Sequence, residues 1–352
     1  MKYYDVFEDI QKFPDADIII AYSRRGVGKT YGALYGALER GQKVVYIKRT
    51  NKDVDLICKA TKQFDTSPYK PINRDHPEYN IMPKHIDDGI GAFYQCDANG
   101  DPVGELVAYC ISLNNIKSIK GFDMSDADLF IFDEFIPQAT ERYSANEGKA
   151  LLSAYETCSR DRVERGKTPI KMLLFANAED IYCEVVNILE VIDELAEISV
   201  SKRSYLYIEE RGILLHHINE MPIEEAKKKT GLARAMRGTA WYKMSYEGEF
   251  SSNDFTNVEP RVLKKYKPLI RCFYRQSEFY VYKKDRDFYI TKQKSNNYLE
   301  EYNLNRDNDI RLFYAKRCFD LQEACMNGHV KFSNYSLYDL IVHFDKRFRN
   351  VL

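Results

Sequence analysis

Apolar residues along the chain fall into short runs that alternate with stretches of helical spacing. Residues 17–22 (DIIIAY) form a β-branched run that leads into the glycine-rich SRRGVGKT and then YGALYGALERG, which predicts strand, loop and helix in that order. A second strand is expected over Lys43–Arg49 (KVVYIKR), after a helix-ending Gly41. A third extended run covers Val103–Leu113, with Asn99 and Gly100 as the hairpin turn before it. Two further apolar strands, Leu129–Phe135 in ADLFIFDEF and Ile170–Ala178 (IKMLLFANA), are separated by the helical ANEGKALLSAYETCSRDR. Buried strands alternating with helices predict an α/β fold around a central, mostly parallel sheet.

From about residue 200 the pattern turns hairpin-like and aromatic, in RSYLYIEERGILLHHI and later FYVYKKDRDFYITKQ, with the charged helical IEEAKKKTGLARAMRG between them. This change predicts a first domain over 1–220, a helical linker over 221–257 and a small α+β domain over 258–352. The last segment, SLYDLIVHFDKRFRNVL, has the spacing of an amphipathic closing helix. The chain carries no internal repeat and no low-complexity tract.

Its 352 residues exceed what one hydrophobic core usually serves, in keeping with two domains. Hydrophobic residues at 44% and charged residues at 30% exclude a disordered tail. A net charge of −1 argues against coating nucleic acid non-specifically, because such affinity comes from many neutralised phosphates, so any DNA contact has to be local. The opening MKYYDVFEDIQKFP has acidic residues where a signal peptide is positive, and no stretch approaches the roughly 18 apolar residues of a membrane span. A cytoplasmic, non-membrane setting is expected. Eight cysteines without CxxC spacing suggest neither a zinc site nor a disulfide framework, and read as reduced core residues.

The chemistry gathers at strand ends. In Ser23, Arg24, Arg25, Gly26, Val27, Gly28, Lys29 and Thr30, the two glycines let the backbone curl so that successive N–H groups face a phosphate, with the positive end of the following helix behind them. Lys29 is placed to reach the β and γ phosphates and Thr30 to give its hydroxyl to Mg²⁺; Ser23 stands where the usual phosphate loop has its first glycine. About a hundred residues on, a strand ends in two carboxylates, Asp133 to hold the metal through water and Glu134 to activate the attacking water. If the sheet follows the order of ATPases with a catalytic glutamate, the strand ending at Asn177 lies between these two. Its amide is then near the γ-phosphate.

Arg160, Arg162 and Arg165 follow a helix, where cations meet the macrodipole favourably, or one of them crosses to a neighbouring subunit's nucleotide. Lys117 and Lys120 before the acidic strand, with Arg49 and Lys52 after the second, are DNA-contact candidates. Lys227, Gly231 and Arg234 share a helical stripe suited to an acidic neighbour or an RNA backbone, or to plain solvation. Asp285 and Asp287 flank Arg286 where a hairpin turns and read as turn formers; no nuclease activity is expected.

Taken together, SRRGVGKT, VVYIKR, LFIFDEF, SRDR and LLFANA, in this order and spacing, resemble the genome-packaging ATPases of short-tailed podoviruses of the phi-twenty-nine type. WYKMSYEGEF and MNGHVKFSN extend the resemblance beyond the first 180 residues. It implies an ASCE-type P-loop ATPase domain with a small C-terminal domain similar to a degenerate RNase H-like nuclease. It also implies a pentameric ring that uses ATP and Mg²⁺ to drive double-stranded DNA into a procapsid. The ring would act in the host cytoplasm at the portal vertex, between the portal (connector) protein, packaging RNA and DNA. Carried over residue by residue, it places Lys29 and Thr30 in the phosphate loop, Asp133 and Glu134 in the metal and water positions, Arg160 at the trans arginine finger and Lys120 on a functional lysine. The chain departs from the family pattern at Ser23, and at Asn51 beside Lys52, which affects the DNA assignments. A helicase or recombination-type ATPase acting on single strands, and a nucleotide-binding scaffold without turnover, remain the competing readings.

Overall fold

A computed structural model of the chain describes residues 3–59, 65–115, 122–138, 141, 144, 146–160, 162–219, 228–248, 250, 253 and 255–352. It divides into two compact units, one of Met1–Leu189 with Glu197–Ser252 and the other of Glu190–Ala196 with Asn253–Leu352.

The first unit is built on a nine-stranded sheet of β1 (Ile18–Ser23), β2 (Val44–Lys48), β3 (Ile81–Asp87), β4 (Ile90–Cys96), β5 (Pro102–Ser112), β6 (Leu129–Asp133), β7 (Lys171–Asn177), β8 (Tyr205–Ile208) and β9 (Ile213–Ile218). Their order is β3-β4-β5-β2-β6-β7-β1-β9-β8. The central six, β5 to β9, pair in parallel; β3 and β4 on one side and β8 on the other are antiparallel. Val44 to Ile47, Leu129 to Phe132, Met172 to Ala176 and Ile19 to Ser23 are all buried, as strands covered on both faces have to be. The edge strand β3 has no clean alternation and contains Pro83, a residue that an edge tolerates because one side of its ladder needs no donor. The hairpin β4–β5 turns at Asn99–Gly100 as its sequence predicts. Asp97 closes the turn, its Oδ1 accepting from the backbone N–H groups of Asn99, Gly100 and Asp101 at 2.8, 2.9 and 3.0 Å. Strand β9, the second half of an expected hairpin, also extends the parallel sheet beside β1.

Helix α1 (Val6–Lys12) lies against α2 (Lys29–Glu39), which follows β1. Glycine in a helix costs about 1 kcal/mol against alanine, and α2 with its cap has Gly28, Gly32 and Gly36 four residues apart. A Cβ at each would fall 2.5 Å from the Tyr3 ring, 2.0 Å from the Tyr4 carbonyl oxygen and 2.4 Å from the Phe7 ring. The bare face of α2 is what lets the N-terminal segment approach. A buried carboxylate holds that segment: Asp9 accepts from the Tyr4 hydroxyl at 2.6 Å and the Tyr205 hydroxyl at 3.1 Å, and faces His216 Nδ1 at 2.6 Å.

Arg162 is buried. It donates to the carbonyls of Thr168 at 3.0 Å, Ser125 at 2.7 Å and Ala127, and faces Asp128. It is a structural cation that closes the loops below β6. The charged stretch after β9 does not form one helix through its described part. Thr230 is extended and its hydroxyl accepts from Ala233 N at 3.3 Å, so a new helix starts at Gly231 and runs to Met236, and Gly231 and Arg234 do not continue a stripe from before the cap. Lys227 lies outside the described residues.

The second unit has a five-stranded sheet, β13 (Glu300–Asn303), β10 (Lys267–Tyr274), β11 (Ser277–Lys284), β12 (Asp287–Thr291) and β14 (Val330–Phe332), in that order. Ile270, Cys272, Phe279, Val281 and Ile290 face a core completed by helices that include Ile310, Phe313 and Leu340. Asp285 sits in the β11–β12 turn with φ 54°, as a turn former does, whereas Asp287 begins β12 and faces His329 Nδ1 at 2.9 Å. The closing segment is helical but breaks at His343 into Tyr335–Val342 and Phe344–Arg347. Among the described residues no helix is long and apolar enough to cross a membrane.

Candidate functional site

Strands β1, β7, β6 and β2 are in register, so their carboxyl ends form one rim. Ser23 pairs with Asn177, Asp133 with Phe175, and Phe132 with Leu174 and Ile47. Crevices at the carboxyl ends of parallel strands are where such sheets bind ligands. The strand ending at Asn177 lies between β1 and β6, as the expected order has it.

Between β1 and α2 the loop curls through Gly26 at φ 75° and Gly28 at φ 87°, conformations that side chains rarely adopt. Gly28 caps α2 without any side-chain bond, leaving the first N–H groups of the helix directed into the loop. Lys29 is 8% exposed and its ammonium donates to Ser23 Oγ at 2.6 Å and, at 3.5 Å, to Asn177 Oδ1. Ser23, the departure from the glycine pattern, therefore holds the lysine across the mouth of the loop. Thr30 Oγ1 donates to Asp133 Oδ2 at 2.8 Å. The glycine-rich loop and the acidic strand end thus converge on one point.

Asp133 has a second donor, the Tyr46 hydroxyl on β2, at 3.1 Å from the same oxygen. Tyr46 is buried, and burial first, then the neighbouring Asp133 carboxylate, push its phenol well above the ordinary range. Next along the chain, Glu134 is exposed and left-handed at φ 57°, a strained conformation for a residue with a side chain. Arg49 holds it there. The guanidinium donates to the carbonyls of Glu134 and Phe135 at 3.1 and 2.9 Å, and on its other edges to Glu141 and Glu147 at 2.9 Å each. Burial raises the Glu147 carboxyl above its usual range, and Arg49 pulls the other way. A cavity of about 350 Å³ opens beside this group, lined by Tyr46, Lys48, Asp53, Asp133 and Glu134.

The other candidates separate. Arg24 is buried, donating to the Asn219 carbonyl at 3.1 Å, and Arg25 pairs with Glu179 at 2.7 Å; both are tied to their own unit. Val27 is buried, its carbonyl accepting from Tyr4 N at 3.1 Å. Arg49 is 9% exposed with its donors engaged by acids and carbonyls, so it presents no free guanidinium to DNA; the sequence reading of it as a surface contact is corrected. Lys52 is exposed in the first turn of α3 (Asn51–Cys58), a helix capped by Thr50. Arg160 is exposed at the end of the helix Glu147–Ser159, while Arg162 is buried and Arg165 lies 3.3 Å from Ser125 Oγ. Lys117 and Lys120 lie outside the described residues. Sequence reasoning missed Tyr46, Glu141 and Glu147. The signal for Tyr46 was present, since a tyrosine in an aliphatic buried strand needs a partner for its hydroxyl.

A hydroxyl and a carboxylate on one point, with room for phosphate oxygens and water, is a donor set that suits a hard divalent cation such as Mg²⁺. Thr30 and Asp133 are the residues that would hold it.

The chain is similar to known proteins over nearly its whole length. The model of the family described as Podovirus DNA encapsidation protein matches residues 4–349. The DNA packaging protein of Bacillus phage PZA is 22% identical over 263 residues, 73% of this chain and 69% of that protein. The DNA packaging protein of Bacillus phage B103 is 22% identical over 339 residues, 92% and 95% of the two chains. Among solved structures, the bacteriophage Phi-29 viral genome packaging motor assembly contains a chain similar to this one with a TM-score of 0.65 at 17% identity, covering 99% of both, a likeness of fold.

Proposed function

The chain belongs to the podovirus DNA encapsidation family, and we propose that it is the ATP-hydrolysing subunit of a motor that drives double-stranded DNA into a viral procapsid. What carries the reading is the meeting of Thr30 with Asp133 at 2.8 Å, beside a lysine held by Ser23 and Asn177. We read the strand order, with β7 between the phosphate-loop strand and the acidic strand, as that of an ASCE-type P-loop ATPase. The second unit is the remnant of a nuclease domain in this reading, and the subunits form a pentameric ring at the portal vertex with the portal protein and packaging RNA.

The mechanism follows from the residues in place. Lys29 exchanges Ser23 and Asn177 for the β and γ phosphates of ATP, which frees the Asn177 amide to bond the γ-phosphate or the water beside it. Thr30 and Asp133 would hold Mg²⁺, which would supply neutralisation of the charge that develops on the phosphoryl oxygens. Glu134, fixed through its backbone by Arg49, orients and deprotonates the attacking water. Arg160, exposed at its helix end, reaches the nucleotide of an adjacent subunit. Lys52, Lys117 and Lys120 contact DNA phosphates, and loss of the γ-phosphate releases them by rearranging the rim.

Two measurements test this. Hydrolysis by the full chain should be stimulated more by double-stranded than by single-stranded DNA; the opposite preference would favour a helicase-like enzyme, and no turnover at all a scaffold. Tyr46→Phe removes one donor from a charged acceptor, worth about 1.5–3 kcal/mol. It should therefore raise the Mg²⁺ concentration for half-maximal hydrolysis by roughly tenfold or more while leaving kcat at saturating Mg²⁺ nearly intact. An unchanged Mg²⁺ titration would remove Tyr46 from the site.

A further inference from the structure

Beside the phosphate loop lies a second cavity, of about 490 Å³, whose wall includes Tyr3, Tyr31, Tyr35, Asp75 and His76. None of these residues has a part in the chemistry described above. Their rings form a ladder. Tyr3 and Tyr31 have centroids 4.7 Å apart, Tyr31 and Tyr35 5.9 Å, and Tyr35 and His76 4.3 Å with their planes 21° apart. All four are half-buried; Tyr31 and Tyr35 pack on the core below with part of their surface and line the cavity with the rest.

The ladder starts at the loop itself. The Tyr3 ring touches Gly28, so that a Cβ there would lie 2.5 Å from it, and Tyr31 is the residue after Thr30 in the first turn of α2. Tyr3 is not placed by chance. Tyr4 N donates to the Val27 carbonyl at 3.1 Å, and the glycines of α2 admit the segment that carries both tyrosines. Tyr3 and Tyr31 are thus aromatic rings that adjoin the loop at the N-terminus of α2, within reach of a nucleotide whose phosphates enter there. Flat aromatic faces at that position are what a base stacks on.

We propose that Tyr3 and Tyr31 form the base subsite of this chain, stacking on the adenine ring of the nucleotide whose phosphates the Ser23–Thr30 loop takes, with the cavity beyond them receiving the ring. The inference rests on the phosphate-loop reading and adds to it the residues that distinguish a nucleotide from a bare polyphosphate. On this account the N-terminal segment, already held against α2, is part of the ATP site. The aromatic faces do the work, so the hydroxyls are dispensable.

The test compares binding of ATP and of inorganic tripolyphosphate, both with Mg²⁺, to the full chain. Tyr3→Ala and Tyr31→Ala should each weaken ATP binding about tenfold, in line with the contribution of one stacked base, and leave tripolyphosphate binding unchanged. Tyr3→Phe and Tyr31→Phe should bind ATP as the parent does. Lys29→Ala should weaken both ligands. If Lys29→Ala weakens neither, the phosphate site is elsewhere and the base subsite falls with it. If Lys29→Ala behaves as stated but the tyrosine variants bind ATP normally, or lose both ligands in parallel, the base subsite alone is overturned. Independently of variant folding, irradiation of the parent chain with 8-azido-ATP should label residues 3–7 or 31–36, and labelling confined to other segments contradicts the assignment.

Discussion

Glu134→Gln will bind ATP about as well as the parent chain but release phosphate, in the presence of DNA, on the order of 10²–10⁴-fold more slowly, the contribution of a positioned general base. The substitution keeps the shape and the backbone at φ 57°, which Arg49 secures through the Glu134 and Phe135 carbonyls, so the loss isolates the carboxylate. Lys29→Ala gives the contrasting result. It removes the ammonium that Ser23 and Asn177 now hold, so nucleotide affinity and turnover should fall together. Nucleotide binding measured by equilibrium titration, alongside a phosphate-release assay, separates the two patterns. Full hydrolysis by the Gln variant would mean that the attacking water is activated by something other than the acidic strand end.

The second large effect is expected at Arg160. An arginine supplied to a neighbour's nucleotide contributes roughly 10³–10⁵ in rate, and Arg160→Ala should lose DNA-stimulated hydrolysis on that scale while each subunit still binds ATP. Its location separates it from its neighbours in the SRDR run. Arg160 is exposed at a helix end, whereas Arg162 is buried on the carbonyls of Ser125, Ala127 and Thr168. Arg162→Ala should therefore show as loss of stability, a different signature from loss of turnover. Mixing Arg160→Ala subunits with Glu134→Gln subunits decides whether the arginine acts in trans. Each variant should be inactive alone, but a Glu134→Gln subunit would still have an arginine to lend to an Arg160→Ala neighbour that keeps its glutamate. Recovery of hydrolysis in the mixture supports the assignment; a mixture as inactive as its components rejects it.

Much of this site was legible because its logic is local. A phosphate loop is one strand, a few loop residues and one helix turn, so eight consecutive residues specify it. An acidic pair after a buried apolar run likewise announces a strand end with two carboxylates at a rim. The apolar run that stops at Asn177 announces β7, but its interposed position followed only if the sheet has the order of ATPases with a catalytic glutamate, which the observed order matches. Exposed lysines are different. Lys52 is exposed on α3, but nothing in its neighbours along the chain distinguishes a DNA contact from a solvated side chain.

Arg49 shows why the remainder was not legible. As a charged residue just after a strand it reads as a surface cation, because nothing nearby in the chain suggests a partner. Its partners Glu141 and Glu147 are 92 and 98 residues away, and the carbonyls it binds, of Glu134 and Phe135, follow the end of the next strand in the sheet. Tyr46 meets Asp133 across 87 residues in the same way.

By itself, then, the amino-acid sequence determined the main elements and the residues that gather at the strand-end rim, since periodicity, glycine placement and strand-end acids are properties of short segments. Only the tertiary structure decided which cations are free and which are consumed. It also decided that Ser23 anchors Lys29, and that the N-terminal tyrosines lie on the phosphate loop. The physical reason is that burial and pairing of a charge depend on what the fold brings beside it, and a buried guanidinium or hydroxyl must find its partners across the sheet rather than along the chain.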